Sequence, residues 1–433
     1  MALDFSSLPP EKPVPDKSPS RLLWGAVFAA LTSAGIFAVL MLWPKSEPTD
    51  TPWFWICVSV YPAGFSAFIV SRRYRAYELE RAKVQAWNDA SRKYNAQAFA
   101  RESVPMLVLG ATARVTADDT GTGVDQIVDG TMKLHAKASE QKANESVSAR
   151  WFEPIEARLA ADDAERHESV LEWLYERLLN DLKQTLAALH PDLPLRVLLD
   201  LSGYAGAVDA VESWRSEWRR HELPFARTDR APEPLDLMMV DSWLDDQNGP
   251  LDQHAVLLVS ITLNKVIDEP PAKGSAEAGV GLLLVSEALA SRFELQPVAA
   301  FHRPRRADHD NPEHALTYGL RWGGAAPDGI GALWMTGFDS QAAGSVRTAL
   351  NAGSPEGEND EPVPEFELDR IVGNAGTSAG WLAAACATYV AGQSPKPQLV
   401  AHRDEADMFI AVVTNLDNAS TTHALPHESD IQT

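Results

Sequence analysis

The sequence predicts an α/β protein in which an N-terminal hairpin of two membrane-spanning helices precedes a layered domain of alternating strands and helices. Three observations carry this. Two long uncharged apolar runs lie near the N-terminus, short apolar runs bounded by Gly and Pro then alternate with helical-period segments, and 433 residues at 45% hydrophobic can bury at least one large core.

Leu22 to Trp43 is a 22-residue run without charge. At ~1.5 Å per residue it is long enough for a hydrocarbon core of ~30 Å. A second uncharged run, Trp53 to Val70, follows almost at once, with Trp43, Trp53, Trp55 and Tyr61 as interface anchors and Pro62 and Gly64 placed to kink it. A cleaved signal peptide is the competing reading of the first run, and the second span argues against it. Arg72, Arg73, Arg75, Arg81 and Lys83 follow the second span, whereas the connecting loop has Lys45 against Glu47 and Asp50. The positive-inside rule therefore places the large domain and both termini in the cytoplasm.

The expected organisation is a disordered arm (1–20), two transmembrane helices (21–71), a stalk helix (72–104), a domain (105–414, with halves 105–262 and 263–414) and a disordered tail (415–433). Within the domain PMLVLG from Pro105 reads as a strand, Glu165 to His190 as an amphipathic helix, Pro194 to Leu201 as a strand and Ala205 to Glu222 as a helix. Leu235 to Val240, Ala255 to Thr262, Val280 to Val285 and Val298 to Phe301 read as strands. After a polar stretch (Arg303 to Glu313), Leu316 to Trp322 and Ile330 to Met335 read as strands and Asp339 to Leu350 as a helix. An acidic loop (351–367) leads to a Gly/Ala-rich loop entering a small-residue helix, then strands at Pro397 to Ala401 and Met408 to Thr414. There is no short-period repeat, which excludes solenoids and propellers.

The net charge is −22, and residues 84–433 hold 29 Lys and Arg against 53 Asp and Glu. Such a surface repels nucleic acid and anionic lipid and suits a basic protein partner. Two cysteines, Cys57 and Cys386, cannot make a disulfide framework or a cysteine-based metal cluster. No phosphate loop, HExxH, GxSxG or kinase motif occurs, and no cofactor or metal is expected. GNAGTSAG (373–380) has spaced glycines before a helix but not the dinucleotide fingerprint, so tight packing is its better reading. His302, His309 and His314, with Asp308, Asp310 and Glu313, read as a solvated loop rather than a metal site. Asp241 to Asp246 offers carboxylates near a strand end, and a capped turn is the simpler reading.

The order of motifs in the second half of the chain resembles the thiolase-like superfamily, in particular the β-ketoacyl synthases. LMMVDSWLD (237–245) is followed by SAEAGVGLLLVSEALASRFELQPVAAF (275–301), whose Glu277 to Gly281 core is similar to a family motif. IGALWMTGFDSQAAGSVRTAL (330–350) and IVGNAGTSAGWLAAACA (371–387) then stand where the family has its His-Gly-Thr and Gly-His loops. The resemblance covers roughly residues 235–415 and extends to 105–235. It implies a layered α-β-α-β-α domain. Condensing members use a Cys nucleophile and two His. Here no Cys lies between Pro105 and Ala385, the first His loop reads Met335-Thr336-Gly337-Phe338, the second His position is Asn374, and Cys386 lies inside the helix. The resemblance thus implies a catalytically degenerate domain with a vestigial pocket around Asp241, Ser242, Thr336, Gly337, Asn374 and Gly376. The expected function is a non-enzymatic membrane adaptor that resembles accessory proteins of bacterial type VI secretion clusters, where it would recruit an effector or secretion component. Such a domain would also pair into a homodimer through a sheet edge. Two competing functions are an enzyme or binder of acyl thioesters or acyl-carrier protein, with Ser242 as an alternative nucleophile, and an immunity protein against a toxin.

Overall fold

The computed structural model describes residues 8–15, 18–45, 47–117, 123–138, 146–154, 156–246, 249–308, 312–352, 363–404 and 407–416. It divides into two compact units, one spanning Leu3–Phe99 and the other chiefly Ala100–Thr433.

In the first unit α1 (Arg21–Leu42) starts at Ser20, whose Oγ accepts from the Leu23 N–H at 3.4 Å. Thr51 caps the second helical stretch in the same way, with Pro52 in its first turn. That stretch, α2 (Pro52–Glu102), joins the second apolar run and the stalk in one element. Near Pro62, where a kink is expected, the helix widens into a π-helical turn at Ile56–Val60, one turn ahead of the proline that cannot donate to the ladder. α1 passes close to this point, since a Cβ on Gly35 would stand 2.7 Å from Pro62 Cβ. Both helices are long and apolar enough to cross a membrane. The Pro-rich arm, expected to be disordered, is not free over its described residues: it hydrogen-bonds along α2.

The second unit is built on one large mixed sheet. Its strands are β1 (Met106–Arg114), β2 (Leu195–Ser202), β3 (Ala226–Arg230), β4 (Ala255–Thr262), β5 (Ala278–Ser286), β6 (Ala299–Phe301), β7 (Arg305–Asp308), β8 (Ala332–Thr336), β9 (Glu365–Glu367), β10 (Gln398–Asp404) and β11 (Asp407–Thr414). The order is β9-β8-β10-β11-β6-β1-β5-β4-β2-β3, with β7 paired to β11 off this path. Its longer helices are α3 (Asp163–Ala187), α4 (Ala210–Arg220), α5 (Met238–Asp245), α6 (Pro312–Trp322), α7 (Ser340–Ala352) and α8 (Ala379–Ala391).

This order contains a repeat. The pairs β3/β2 and β2/β4 are parallel, and β4/β5 and β5/β1 antiparallel. In the other half β9/β8 and β8/β10 are parallel, and β10/β11 and β11/β6 antiparallel. Each half therefore runs strand, outer helix, strand, outer helix, strand, inner segment, strand, strand, and the halves join through β1 and β6. The boundary between halves, expected after Thr262, falls after β5, because β5 closes the first half against both β4 and β1.

Alternate residues of each strand face opposite layers. Leu107 and Leu109 of β1 pack with α3 and α4, and Leu333 and Met335 of β8 pack with α6 and α7. Met106, Val108, Trp334 and Val400 point to a shared middle layer, which α8 fills. Ala379 to Thr388 of α8 are all buried, and five alanines, a glycine and a cysteine let the two halves of the sheet approach from either side. The result is an α-β-α-β-α sandwich.

Two sequence expectations are corrected. Leu235 to Val240 is not a strand, since Leu237, Val240 and Leu244 recur at helical spacing and Asp236 Oδ1 accepts from the Met239 N–H at 3.1 Å to start α5. The strand in this part of the chain is β3, whose polar ARTDR sequence suits an edge. Leu316 to Trp322 belongs to α6, with Pro312 at its start and Ala315, Leu316, Gly319 and Leu320 on its buried face. The stretch 303–313, expected to be a solvated loop, holds β7 and the start of α6. His302 is buried with Nε2 at 2.9 Å from Thr414 Oγ1, His314 stacks on Tyr318, and His309 lies outside the described residues. Of the acidic loop, residues 353–362 lie outside the described residues, as do 417–433 of the tail.

Candidate functional site

The loops that follow the parallel strands lie at the carboxyl ends of β2 and β4 in one half and of β8 and β10 in the other, the ends where open α/β sheets bind ligands. The six residues singled out from the sequence fall here in three groups.

Thr336 ends β8 and Gly337 follows it. Thr336 Oγ1 donates to Asp369 Oδ1 at 2.8 Å, and the Gly337 N–H to Asp369 Oδ2 at 2.6 Å. Gly337 has φ +79°, and a Cβ there would stand 1.9 Å from the Arg403 carbonyl oxygen, so only glycine fits. His402 pairs with Thr336 across β10, stacks on Phe409 and presses on Gly380 at the start of α8. Burial holds its pKa below the ordinary histidine value. Neither Asp369 nor His402 is singled out by the sequence.

Asn374 and Gly376 form the second group. The loop before α8 docks on residues 274–276: the Asn374 N–H donates to the Gly274 carbonyl at 2.7 Å, and the Asn374 carbonyl accepts from Ala276 at 2.8 Å. Asn374 Oδ1 accepts from the Gly376 N–H at 2.8 Å, an Asx turn. Beneath it runs a buried polar chain the sequence does not reveal. Ser378 Oγ lies 2.9 Å from both Ser260 Oγ and Thr262 Oγ1, and Ser260 donates to Asp200 at 3.0 Å. Burial pushes the Asp200 carboxyl above the usual range.

Asp241 and Ser242 lie on α5. Asp241 and Asp245 accept from the buried Arg303 guanidinium at 2.8 and 2.6 Å, and Arg303 Nε reaches the Glu102 carbonyl at 3.0 Å. Ser242 Oγ donates to the Met239 carbonyl at 2.7 Å. Among the described residues no hydrogen bond joins one group to another. Cys386 is fully enclosed in α8, where burial pushes its thiol up to about 12, so it stays protonated and unreactive at neutral pH.

The family-like Glu277 has a structural place. It is buried, binds Arg166 through both oxygens at 2.9 and 2.7 Å, and accepts from the Phe152 and Asn264 N–H groups at 2.8 Å each. Of two surface cavities, one lies away from all three groups and the other adjoins the Thr336–Gly337 group. One of about 640 Å³ between α3 and α4 is lined by Glu172, Trp173, Glu176 and Arg220, and one of about 450 Å³ beside α7 by Phe338, Asp339 and Arg403. Among the described residues no group of three or more His, Cys, Asp or Glu could hold a metal ion.

No family model and no curated protein matches the sequence. Solved structures do. The ketosynthase from module 6 of the bacillaene synthase of Bacillus subtilis 168 aligns at a TM-score of 0.50 and 9% identity, covering 72% of each chain. The ketosynthase from module 1 of the bacillaene synthase of Bacillus amyloliquefaciens FZB42 aligns at 0.49 and 9%, over 72% of this chain and 76% of its own. The ishigamide ketosynthase/chain length factor aligns at 0.49 and 18%, over 72% and 99%. At such identities the likeness is one of fold, and the second unit has the mixed α/β thiolase-like architecture that the motif order implies.

Proposed function

We propose that this chain is a membrane-anchored, non-condensing adaptor whose thiolase-like domain recruits a basic protein partner at the cytoplasmic face of a bacterial inner membrane. One observation carries the reading: Thr336, Gly337, Asp241, Ser242 and the Asn374 side-chain oxygen are each bonded within the chain. Thr336 and Gly337 are held by Asp369, Asp241 by Arg303, Ser242 by its own helix and Asn374 by the loop it closes. An acyl-transfer site needs a nucleophile beside a base and donors left free for an oxyanion. The excess of 53 acidic over 29 basic residues beyond residue 83 supports a basic partner. The sequence resemblance raises a type VI secretion component or effector as that partner, and two copies of the domain would pair through a sheet edge.

The test is affinity purification of the tagged, detergent-solubilised chain from its host membrane, with bound proteins and small molecules identified by mass spectrometry. Stoichiometric recovery of a basic secretion component is the expected result. Recovery of an acyl-carrier protein, or an acyl adduct on Ser242, would overturn the adaptor reading in favour of thioester chemistry. A toxin as sole stoichiometric partner would replace it with an immunity role.

A further inference from the structure

The first unit carries a recognition surface that the adaptor reading does not use. The described arm residues run antiparallel to α2, and their carbonyl oxygens are met by side-chain donors from one face of it. Ser91 Oγ and Asn95 Nδ2 donate to the Pro9 carbonyl at 2.5 and 3.3 Å, and Trp87 Nε1 to that of Pro10 at 3.2 Å. Asn88 closes a two-bond ring with Lys12, donating to its carbonyl at 2.9 Å and accepting from its N–H at 2.8 Å. Nearer α1, Tyr77 donates to the Pro15 carbonyl at 3.1 Å and Tyr74 to that of Pro19 at 3.2 Å. Lys12 Nζ sits 3.9 Å over the Trp87 ring, and Glu11 pairs with Arg92 at 3.1 Å.

The chemistry matches on both sides. A proline-rich segment in extended conformation makes no internal hydrogen bonds and lacks N–H groups at its prolines, so its carbonyls need donors from outside. Tyr74, Tyr77, Asn88, Ser91 and Asn95 are spaced by 3, 11, 3 and 4, which keeps them on one helix face. Because the stripe is largely polar, water can satisfy it when the arm is absent. An apolar stripe would need permanent cover.

We propose that the α2 face from Tyr74 to Asn95 is a receptor for an extended proline-rich segment, and that the described arm residues 9–15, 18 and 19 of the same chain are its resident ligand, docked in cis and releasable.

Two measurements on the full chain in detergent test this. Glu11→Cys with Arg92→Cys, in a Cys57→Ser background, should be joined within one chain by a short bifunctional thiol crosslinker, since the two native side chains meet at their ends. A crosslink between chains would replace cis docking with arm exchange, and no crosslink would overturn docking altogether. In the second, a fluorescent peptide of the sequence of residues 8–20 is titrated against the wild type and against a Pro9→Gly/Pro10→Gly/Pro13→Gly variant, whose arm costs more entropy to order. Emptying the site should raise apparent peptide affinity at least ~tenfold, because affinity scales with the fraction of open receptor. Trp87→Ala/Asn88→Ala should abolish that gain. Equal affinity for wild type and arm variant, or no binding to either, would overturn the receptor.

Discussion

Two buried aspartates show how one residue type takes opposite roles. Asp163, in the first turn of α3, accepts from the N–H groups of Val266, Ile267 and Asp268 at 2.9, 3.1 and 2.9 Å. Burial alone would raise its pKa, but these three donors more than offset that and hold it below the usual range. At Asp200 burial outweighs the Ser260 hydroxyl, the Leu235 backbone N–H and the more distant Arg230 charge, so its pKa is raised. The signs of their linkage to folding are therefore opposite. The stabilisation from Asp163 is full above the unfolded value of ~3.9 and is lost as pH falls through its lower folded pKa. Ionised Asp200 opposes folding, and its contribution improves as pH falls from its raised folded pKa towards ~3.9. Asp163→Asn is expected to destabilise the domain by about 1–3 kcal/mol at pH 7. Asp200→Asn is expected to be neutral or stabilising at pH 7. Urea unfolding of the full chain at pH 7 and pH 4 measures both, and a larger loss for Asp200→Asn than for Asp163→Asn would refute the assignment.

Elements whose burial is uniform were legible in the sequence. Ala255 to Thr262 is apolar on both faces because β4 sits between helical layers, and it reads as a strand with the observed ends. Elements at edges were not. β3 is five mostly polar residues held by one neighbour, so no apolar pattern marks it, whereas the apolar stretch beside it is the start of α5. The repeat of the two halves was invisible because it resides in strand pairing rather than in residue identity. Of the candidate site, Gly337, Asn374 and Gly376 were reached through motif order, and the structure adds that their left-handed backbone or Asx turn selects these residue types. Asp369, His402 and the Asp200–Ser260–Ser378 chain were not, because their partners lie more than thirty residues away or on another strand. Glu277 illustrates the same point, since its family-like motif marks a brace between α3 and the start of β5. Glu277→Gln leaves the Arg166 cation buried without its counter-charge, and breaking such a pair costs about 3–5 kcal/mol. Thermal unfolding should show a loss of that size. A loss under ~1 kcal/mol would mean that the backbone donors, rather than the ion pair, hold this corner.

At the scale of the whole molecule, the distribution of charge predicts a side for each segment. The connection between the apolar runs carries Lys45 against Glu47 and Asp50, whereas Arg72, Arg73, Arg75, Arg81 and Lys83 crowd the continuation of α2 within about fifteen residues of the second run. Lys and Arg near span ends set orientation while acidic residues contribute little, so the asymmetry is five against one. The arm ends at Arg21 and carries Lys12 and Lys17, which adds to the same side. A hairpin with an even number of spans returns the chain to the face it left, and docking of the arm on α2 requires both on one side. If both apolar runs span, the positive charges predict a cytoplasmic domain, and the arm contacts require only that arm and stalk share one face. A protease added to intact spheroplasts should leave a C-terminal tag uncut, whereas inside-out vesicles should lose it together with the large domain. Replacing Arg72, Arg73, Arg75, Arg81 and Lys83 by glutamine, with three lysines added to the 44–52 connection, should invert or mix that protection. Cleavage of the wild-type tag in intact spheroplasts would reverse the orientation and would place the acidic domain outside the compartment in which the adaptor reading needs it.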